Sequence, residues 1–534
     1  MVRSLASVRS LADDVRASDV DLRTFALELP PRYRVVRPLG HGGFGDVMLV
    51  HDNARGEEIA MKRLARMDPV SIRRFKHEFR VLQGVRHPSL ARLHELFSHR
   101  GAWFLAMEHI DGADFLSYVR PGGEASLAPT LPEQHVTDAR SSALTFDEAR
   151  LRSSLAQLAS GVYALHRGGI IHRDLKPENV LVDAHERVVI LDFGLAATID
   201  HVFHHTAEAR LAGTPGYMPP EQAMSQPLTR GADWYAVGVM LYEALTGRKP
   251  FVGALRDIVD AQLLGAPDPE HYGHRLPRDL AELCRRLLAP RASERPDGAE
   301  ILAFLGTPAS ASHPPELVGR TAELAALDAA IADIATRGPI VLDIVADSGL
   351  GKSALVRRAV ERARIERGAV VLSTRCYERE ALPYKSVDPM MDALTEMLQR
   401  RTRDELLAVM PRDARALCRL FPVLESIEMF AKAPELEPIA NHEVLRRRAI
   451  AALRELLRRV ADRAPLVVVL DDLHWGDLDG ARLLVDLLSG PDAPRMLLVC
   501  AYCHLEPGLR ALQRGLAAAG VPRTEMVLAP IPPG

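Results

Sequence analysis

This chain has few cysteines, no long apolar run and little net charge, and each of these features argues against a class of protein. The five cysteines are an odd number scattered over 534 residues, which excludes a disulfide framework and favours a reducing compartment. The longest apolar runs, such as 466–470 and 496–501, are strand-sized, whereas a membrane helix needs about 20 apolar residues. A net charge of −3 gives no reason to expect nucleic acid or a membrane surface as partner. We therefore expect a cytoplasmic globular protein without membrane insertion.

Lysine is also scarce, with seven lysines against sixty arginines. Three of the seven, Lys62, Lys176 and Lys352, stand in short motifs of the kind that bind phosphate. Because a lysine ammonium is a compact point charge and an arginine guanidinium is a planar fork, a pocket shaped for the first does not accept the second. The lysines that remain therefore predict two separate nucleotide sites in one polypeptide.

Composition along the chain predicts two large units joined by a linker. We expect a leader at 1–31, a first unit at 32–305, a linker at 306–315 and a second unit at 316–534. The first unit is strand-rich and then helical, and it contains a segment without periodicity at about 121–145 that we expect to be a disordered surface insertion. The second unit alternates strands with helices, which favours a parallel sheet. Its strands are predicted at 340–345, 370–374, 466–470, 496–501 and 526–528.

A glycine-rich turn followed by a lysine indicates the first nucleotide site. Residues 40–47 fit Gly-x-Gly-x-x-Gly-x-Val between two strand-like runs, and glycines there let backbone N–H groups approach phosphates closely. Lys62 follows in a strand-like segment, and Glu78 lies on a predicted helix, where it could pair with Lys62 and hold it against the α- and β-phosphates. The candidate ATP contacts are Gly40, Gly42, Gly45, Val47 and Lys62, and both Lys62 and Glu78 count among the candidate catalytic residues.

The motif His-Arg-Asp-Leu-Lys-Pro-Glu-Asn at 172–179 supplies the other candidate catalytic groups. Apolar segments at 180–182 and 188–191 predict a hairpin that brings Asn179 and Asp192 to the same end of two paired strands. Two oxygen ligands that converge there suit Mg²⁺. Asp174 would accept the proton of an incoming hydroxyl, and Lys176 would neutralise charge on the γ-phosphoryl group in transit.

Because these motifs occur in the order and spacing of one family, residues 32–305 resemble a eukaryotic-type protein kinase domain. The resemblance implies a bilobal α+β fold. It implies that the segment from Glu108 to Ile110 is a hinge whose backbone groups hydrogen-bond adenine. It also implies that Glu221 pairs with Arg295 and that Asp233 braces the catalytic loop.

The form of the catalytic motif resembles serine/threonine kinases rather than tyrosine kinases. Thr214 in the substrate-facing loop agrees with that class. Arg173 before the catalytic Asp174 is the family's mark of control by phosphorylation of the activation loop. The resemblance makes Thr198 and Thr206 candidate acceptors for autophosphorylation.

The second nucleotide site begins with Ala-x-x-x-x-Gly-Lys-Ser at 346–353, between a predicted strand and a predicted helix. Backbone N–H groups at the helix N-terminus bind phosphate, Lys352 reaches the β- and γ-phosphates, and Ser353 ligates Mg²⁺. Far downstream, a strand ends at Asp471, which suits the metal, and at Asp472, which could position an attacking water. The candidate residues are Gly349, Gly351, Lys352, Ser353, Asp471 and Asp472.

Residues 316–530 resemble the signalling ATPases related to the AAA+ class (STAND ATPases), which are often fused behind bacterial serine/threonine kinases. The resemblance rests on segments 317–320, 382–384 and 471–475, and it implies an α/β P-loop fold with a parallel sheet. Two features depart from the family. Tyr502 is followed by Cys503 where the family often has an arginine that senses the γ-phosphate, and the chain stops at residue 534 without a helical lid. We therefore expect nucleotide binding by this unit rather than efficient hydrolysis.

Taken together, the motifs predict a serine/threonine protein kinase that uses ATP and Mg²⁺, acts on protein substrates, and is regulated by its ATPase unit in bacterial signalling. A ten-residue linker reaches only about 15–20 Å as a random coil, which favours communication between the units. Oligomers remain open.

Two alternative functions also remain open. One is a nucleotide-gated scaffold, which the retention of Lys62, Asp174 and Asp192 disfavours. The other is an ATPase whose main output is hydrolysis, which the missing lid and Cys503 disfavour. The Cys-x-x-Cys formed by Cys500 and Cys503 is a single pair, which is more typical of core packing than of a zinc site.

Overall fold

The computed structural model describes residues 25–42, 45–64, 68–121, 146–193, 197–198, 214–272, 276–307, 319–436 and 438–530. The predicted leader up to residue 24, the predicted insertion from 122 to 145, most of the predicted linker and Thr206 lie outside these residues. The chain forms two units, one drawn largely from residues up to 312 and the other largely from residues after it. In the described part of the chain, no helix has the length and apolarity that crossing a membrane requires.

The first unit begins with a sheet. Its strands are β1 (Tyr33–Gly42), β2 (Gly45–Asp52), β3 (Glu57–Leu64), β4 (Leu93–His99) and β5 (Ala102–Glu108), in the spatial order β1-β2-β3-β5-β4. β1 and β2 pair antiparallel with Gly42 opposite Gly45, so the glycine-rich segment forms the tip of a hairpin. Helix α1 (Pro69–Leu82) follows β3 and buries Phe75, Phe79 and Leu82, which recur at helical spacing.

The rest of the first unit is mainly helical. Helix α3 (Glu148–Arg167) starts after Asp147, whose side chain accepts the Arg150 N–H. The apolar sequence of α5 (Gly231–Thr246) buries nearly all of its residues, and the helix ends at Gly247 with φ +74°. The remaining elements are β6 (Gly112–Asp114), α2 (Phe115–Val119), β7 (Ile170–Ile171), β8 (Val180–Asp183), β9 (Val188–Ile190), β10 (Ala197–Thr198), α4 (Pro220–Ala223), α6 (Leu255–Leu264), α7 (Arg278–Leu287) and α8 (Gly298–Phe304).

The second unit is built on a parallel sheet of order β12-β14-β15-β11-β16. Its strands are β11 (Ile340–Val345), β12 (Val370–Arg375), β14 (Leu466–Asp471), β15 (Met496–Tyr502) and β16 (Arg523–Val527), with a short β13 (Glu380–Ala381) outside this sheet. The helices are α9 (Thr321–Arg337), α10 (Lys352–Arg367), α11 (Asp388–Gln399), α12 (Arg403–Val409), α13 (Ala414–Leu420), α14 (Glu428–Ala431), α15 (His442–Ala461), α16 (Leu478–Leu488) and α17 (Pro507–Ala518). The predicted parallel sheet is confirmed, but the last strand begins three residues earlier than predicted and ends before Leu528.

Both faces of this parallel sheet are covered, as its continuous apolar strands require. Along β14, Val468 and Leu470 pack into one apolar cluster and Val467 and Val469 pack into the other. The strands run in the same direction, so their carboxyl ends share one edge of the sheet, and the loops that leave this edge carry the groups of the second nucleotide site. The two fold classes predicted from the sequence are therefore those of the structure.

Candidate nucleotide sites

Lys62 lies at the centre of the first site. Its Nζ donates to both carboxylate oxygens of Glu78 at 3.0 Å and to Asp192 Oδ1 at 2.9 Å. Strand β3 presents Lys62 and helix α1 presents Glu78, and both side chains are buried. The structure thus brings together three of the candidate residues that lie up to 130 positions apart in the chain.

The electrostatics of this triad keep the lysine charged. Burial alone would lower the pKa of Lys62, but the carboxylates of Glu78 and Asp192 outweigh burial and raise that pKa well above its ordinary value. Burial raises the pKa of Glu78, and the charge of Lys62 opposes that shift. Both Glu78 oxygens accept hydrogen bonds from Lys62, and these contacts favour the charged form of each partner.

The predicted hairpin after the catalytic motif is present as β8 and β9, which pair antiparallel. The Leu191 N–H donates to the Asn179 carbonyl at 2.8 Å, which fixes Asn179 beside the segment that leads into Asp192. The Asn179 Nδ2 donates to the Asp174 carbonyl at 2.8 Å. Asn179 and Asp192 each offer an oxygen of the kind that Mg²⁺ prefers, so these residues fit such an ion.

Asp174 is held against the hydroxyl of a threonine. Its Oδ1 accepts from the Thr214 N–H and from the Thr214 hydroxyl, both at 3.1 Å. The Lys176 Nζ donates to the same hydroxyl at 3.1 Å and lies 3.4 Å from Asp174 Oδ2. A carboxylate and an ammonium therefore converge on one alcohol oxygen.

The backbone of the catalytic motif is fastened to α5 by Asp233. Its Oδ2 accepts from the His172 N–H and its Oδ1 accepts from the Arg173 N–H, each at 2.8 Å. The His166 Nε2 also lies 2.8 Å from Oδ2. Burial alone would raise the pKa of Asp233, but these hydrogen bonds and the neighbouring histidines lower it. The sequence indicated Asp233, but it did not indicate His166, because histidine on a helix face carries no motif.

A second buried ion pair lies below this loop, between Glu221 and Arg295. Arg295 Nη1 and Nη2 donate to the two Glu221 oxygens at 2.6 and 2.9 Å, and the guanidinium also donates to three backbone carbonyls. This bidentate pair closes the segment that follows Thr214 onto the helical part of the unit. It is the pair that the kinase resemblance implies.

The hinge segment lies at the end of β5. The Glu108 N–H donates to the Arg92 carbonyl at 2.9 Å, and the Glu108 carboxylate pairs with Arg187. The N–H and the carboxylate of Glu108 therefore both have partners within the protein. At the glycine-rich tip, Gly45 has φ +146°, while residues 43 and 44 lie outside the described range.

The second site is formed by the loop between β11 and α10. Gly349 and Gly351 have φ of +88° and +89°, a backbone conformation that side chains with a Cβ rarely adopt. The buried Lys352 Nζ donates to the carbonyls of Ala346 and Asp347 at 2.6 and 3.1 Å. The side chain of Lys352 thus hydrogen-bonds to the backbone of the same loop.

The two carboxylates after β14 have different partners. Asp471 Oδ2 accepts from the Ser353 hydroxyl at 2.6 Å, so a hydroxyl and a carboxylate oxygen, both suited to Mg²⁺, lie side by side. Asp472 instead accepts from Arg375, at 2.6 Å, and has φ +51°. The sequence did not indicate Arg375. The parallel pairing of β12 with β14 sets Arg375 opposite Asp471 and explains the contact.

Comparison with known families finds a match for each of the two units. Residues 33–304 match the protein kinase domain family and residues 316–499 match the AAA ATPase domain family. The chain belongs to the protein kinase family, and its second half carries an AAA ATPase domain. Both families use ATP.

Similar proteins include serine/threonine kinases from bacteria and from animals. The chain is 35% identical over 290 residues to serine/threonine-protein kinase pkn2 of Myxococcus xanthus, covering 52% of this chain and 32% of that protein. It is 33% identical over 279 residues to ribosomal protein S6 kinase alpha-1 of Rattus norvegicus, covering 51% and 35%. It is 29% identical over 276 residues to serine/threonine-protein kinase PrkC of Bacillus subtilis, covering 50% and 39%. The chain therefore spans about a third of the length of these relatives.

Proposed function

We propose that this chain is a serine/threonine protein kinase that transfers the γ-phosphoryl group of ATP to serine and threonine hydroxyls of proteins. The observation that carries the proposal is the contact of one alcohol oxygen, that of Thr214, with both Asp174 and Lys176 at 3.1 Å. A substrate hydroxyl in the same place would meet a carboxylate that accepts its proton and an ammonium that faces the incoming phosphoryl charge.

The reaction follows from these positions. Asp174 takes the hydroxyl proton, the hydroxyl oxygen bonds to the γ-phosphorus, and the bond from that phosphorus to the bridging oxygen of ADP breaks. Lys176 neutralises charge on the transferred group, and Lys62, held by Glu78, contacts the phosphates that remain on ADP. Asn179 and Asp192 would hold Mg²⁺, which supplies charge neutralisation at the phosphates when bound.

The adenine is expected to contact the backbone from Glu108 to Ile110, and the phosphates to lie under Gly40, Gly42, Gly45 and Val47. All of these residues lie within the span, 33–304, that matches the protein kinase family.

The test is phosphate transfer from ATP labelled at the γ-phosphate, comparing the wild-type chain with Asp174→Asn. Removing the general base should lower labelling of a generic protein substrate about 10²–10⁴-fold. Asp257→Asn, at an exposed position, is the matched control and should label normally. Equal labelling by Asp174→Asn and the wild type would refute the assigned reaction.

We further propose that the ATPase unit binds ATP with Mg²⁺ and that its nucleotide state regulates the kinase in bacterial signalling. Lys352, Ser353, Asp471 and the positive-φ glycines of the loop support nucleotide binding. Lys352→Ala should alter the autophosphorylation rate at saturating ATP, because it removes the phosphate contact of the second site only. Equal rates in the two proteins would refute the regulatory role and leave the kinase assignment intact.

A further inference from the structure

Three side chains with metal-binding atoms meet beyond the edge of the second unit's sheet. His474 lies in the short turn Leu473–Trp475 after β14, and Cys503 and His504 directly follow β15. Since β14 and β15 are parallel neighbours, the loops that leave their carboxyl ends are adjacent. His474 Nε2 lies 3.4 Å from Cys503 Sγ, which lies 3.0 Å from His504 Nδ1.

These separations are those of ligands around a small ion. The candidate ligand atoms of all three residues lie within 4.8 Å of one another. Bond lengths of about 2.3 Å to sulfur and about 2.0 Å to nitrogen, at tetrahedral angles, put sulfur and nitrogen ligands about 3.5 Å apart. The two sulfur–nitrogen distances, 3.4 and 3.0 Å, lie slightly below this value, so an ion would need only small movements of the side chains.

The surroundings of the two imidazoles also favour metal binding. His504 Nε2 lies 3.3 Å from a Glu506 oxygen, so this nitrogen carries the proton and leaves Nδ1 with a lone pair facing Cys503. A carboxylate behind a histidine in this way is the usual second contact of a metal-binding imidazole. Sequence reasoning missed this arrangement, because it paired Cys503 with Cys500, which is wholly buried in β15.

His474 is buried and its Nδ1 makes no hydrogen bond within the described part of the chain. Its ring packs 4.8 Å from the Trp475 ring and 4.6 Å from the His504 ring. His474 is therefore held in place by packing, with Nε2 facing Cys503 Sγ as a ligand atom would.

We propose that His474, Cys503 and His504 bind one zinc ion, with a fourth position left open. A thiolate with two imidazoles is a ligand set that suits zinc rather than magnesium or calcium. The site does not depend on the kinase function. It lies next to the second nucleotide site, because His474 is three residues beyond Asp471 and Lys352 contributes to the electrostatic field at His474.

Cobalt titration of the full chain tests this directly, because Co²⁺ bound to a thiolate has a near-ultraviolet charge-transfer band that magnesium-type oxygen sites do not give. The protein is first stripped with a chelator and desalted. The wild type should show that band, saturating at one Co²⁺ per chain, and Zn²⁺ should abolish it. Cys503→Ser should lose the band and bind Zn²⁺ at least about 100-fold more weakly, and Glu506→Gln should weaken Zn²⁺ binding about 10-fold or more.

Two control variants separate the site from general effects on the fold. His442→Gln changes an exposed histidine of the same unit, and Cys418→Ala removes a buried thiol distant in sequence from the site; both should keep the cobalt band. Far-ultraviolet circular dichroism checks that each variant is folded. A wild-type protein without the band, or a folded Cys503→Ser variant that keeps it, would overturn the proposal and leave a hydrogen-bonded cluster only.

Discussion

Asp233→Asn should destabilise the kinase unit although it changes one atom. The carboxylate accepts three hydrogen bonds, from the N–H groups of His172 and Arg173 and from His166. The side chain of Asp233 is 1% exposed, so water cannot replace any of them. An asparagine offers one acceptor oxygen, and its NH₂ group would face at least one of these donors.

The magnitude follows from those contacts. Hydrogen bonds to a charged group contribute about 1.5–3 kcal/mol against about 1 kcal/mol for a neutral one, and a buried donor left unpaired costs about 1–3 kcal/mol. With two bonds weakened and the third donor left unpaired, we expect a loss of roughly 3–5 kcal/mol. A loss of that size lowers the midpoint of thermal unfolding by at least about 6 °C for a unit of this length.

The pH dependence has a definite sign. The pKa of Asp233 is lowered in the folded state from its ordinary value of 3.8, so the carboxylate stabilises the fold at every pH above that value. This contribution is lost as the pH falls below about 4 towards the lower folded pKa. The difference between wild type and Asp233→Asn should therefore be constant from about pH 5 to 8 and narrow only below about pH 4.

Calorimetry of the full chain in a Lys352→Ala background measures this, because in that background only the kinase transition should shift on adding a non-hydrolysable ATP analogue. Asp257→Asn, at an exposed position of α6, should stay within about 0.5 kcal/mol of the wild type. An Asp233→Asn protein that unfolds within about 1 °C of the wild type would show that the three hydrogen bonds do not hold the catalytic loop.

Three further changes have expected outcomes. Arg295→Leu leaves the buried Glu221 carboxylate unpaired and should lower the free energy of unfolding, measured by chemical denaturation, by about 3–5 kcal/mol. Arg291 is 81% exposed, so Arg291→Leu should lower it by less than about 1 kcal/mol, and similar losses in the two variants would contradict this reasoning. Lys62→Arg keeps the positive charge but replaces the compact ammonium with a planar guanidinium. It should lower the rate of autophosphorylation at least about 100-fold, measured by label transfer against the wild type. Arg375→Gln releases Asp472 and should raise phosphate release without changing nucleotide affinity; an unchanged rate would show that this pair does not restrain hydrolysis.

Much of the fold follows from local sequence patterns, and the deviations have physical causes. The predicted strand 466–470 is a continuous apolar run and matches β14 within one residue, because a strand buried on both faces carries a strong signal. The last strand was predicted at 526–528, which starts three residues too far along the chain. Its first residues, Arg523 to Glu525, are polar and exposed at the sheet edge, so they carry no apolar signal.

The residues of the candidate sites were predictable where they belong to motifs of consecutive or closely spaced residues. The motif around Lys62 indicated that Glu78 could pair with it, and the apolar segments after the catalytic motif predicted a hairpin that brings Asn179 and Asp192 to the same end. Contacts that depend on which strands are neighbours were not predictable. The approach of His474 to Cys503 spans 29 residues and follows from the pairing of β14 with β15, which no local pattern specifies.

The two lysines that we expect to bind phosphate differ in the groups that surround them. Lys62 is buried between two carboxylates, so its charge is balanced before ATP arrives and its position is fixed. The hydrogen-bond partners of the equally buried Lys352 are the neutral carbonyls of Ala346 and Asp347. A buried ammonium bound to neutral acceptors retains an uncompensated charge, which a phosphate anion neutralises more fully than a carbonyl does. We therefore infer that the first site is preorganised for phosphate, whereas nucleotide binding at the second site would draw Lys352 away from the two loop carbonyls, the kind of change that a nucleotide-dependent switch requires.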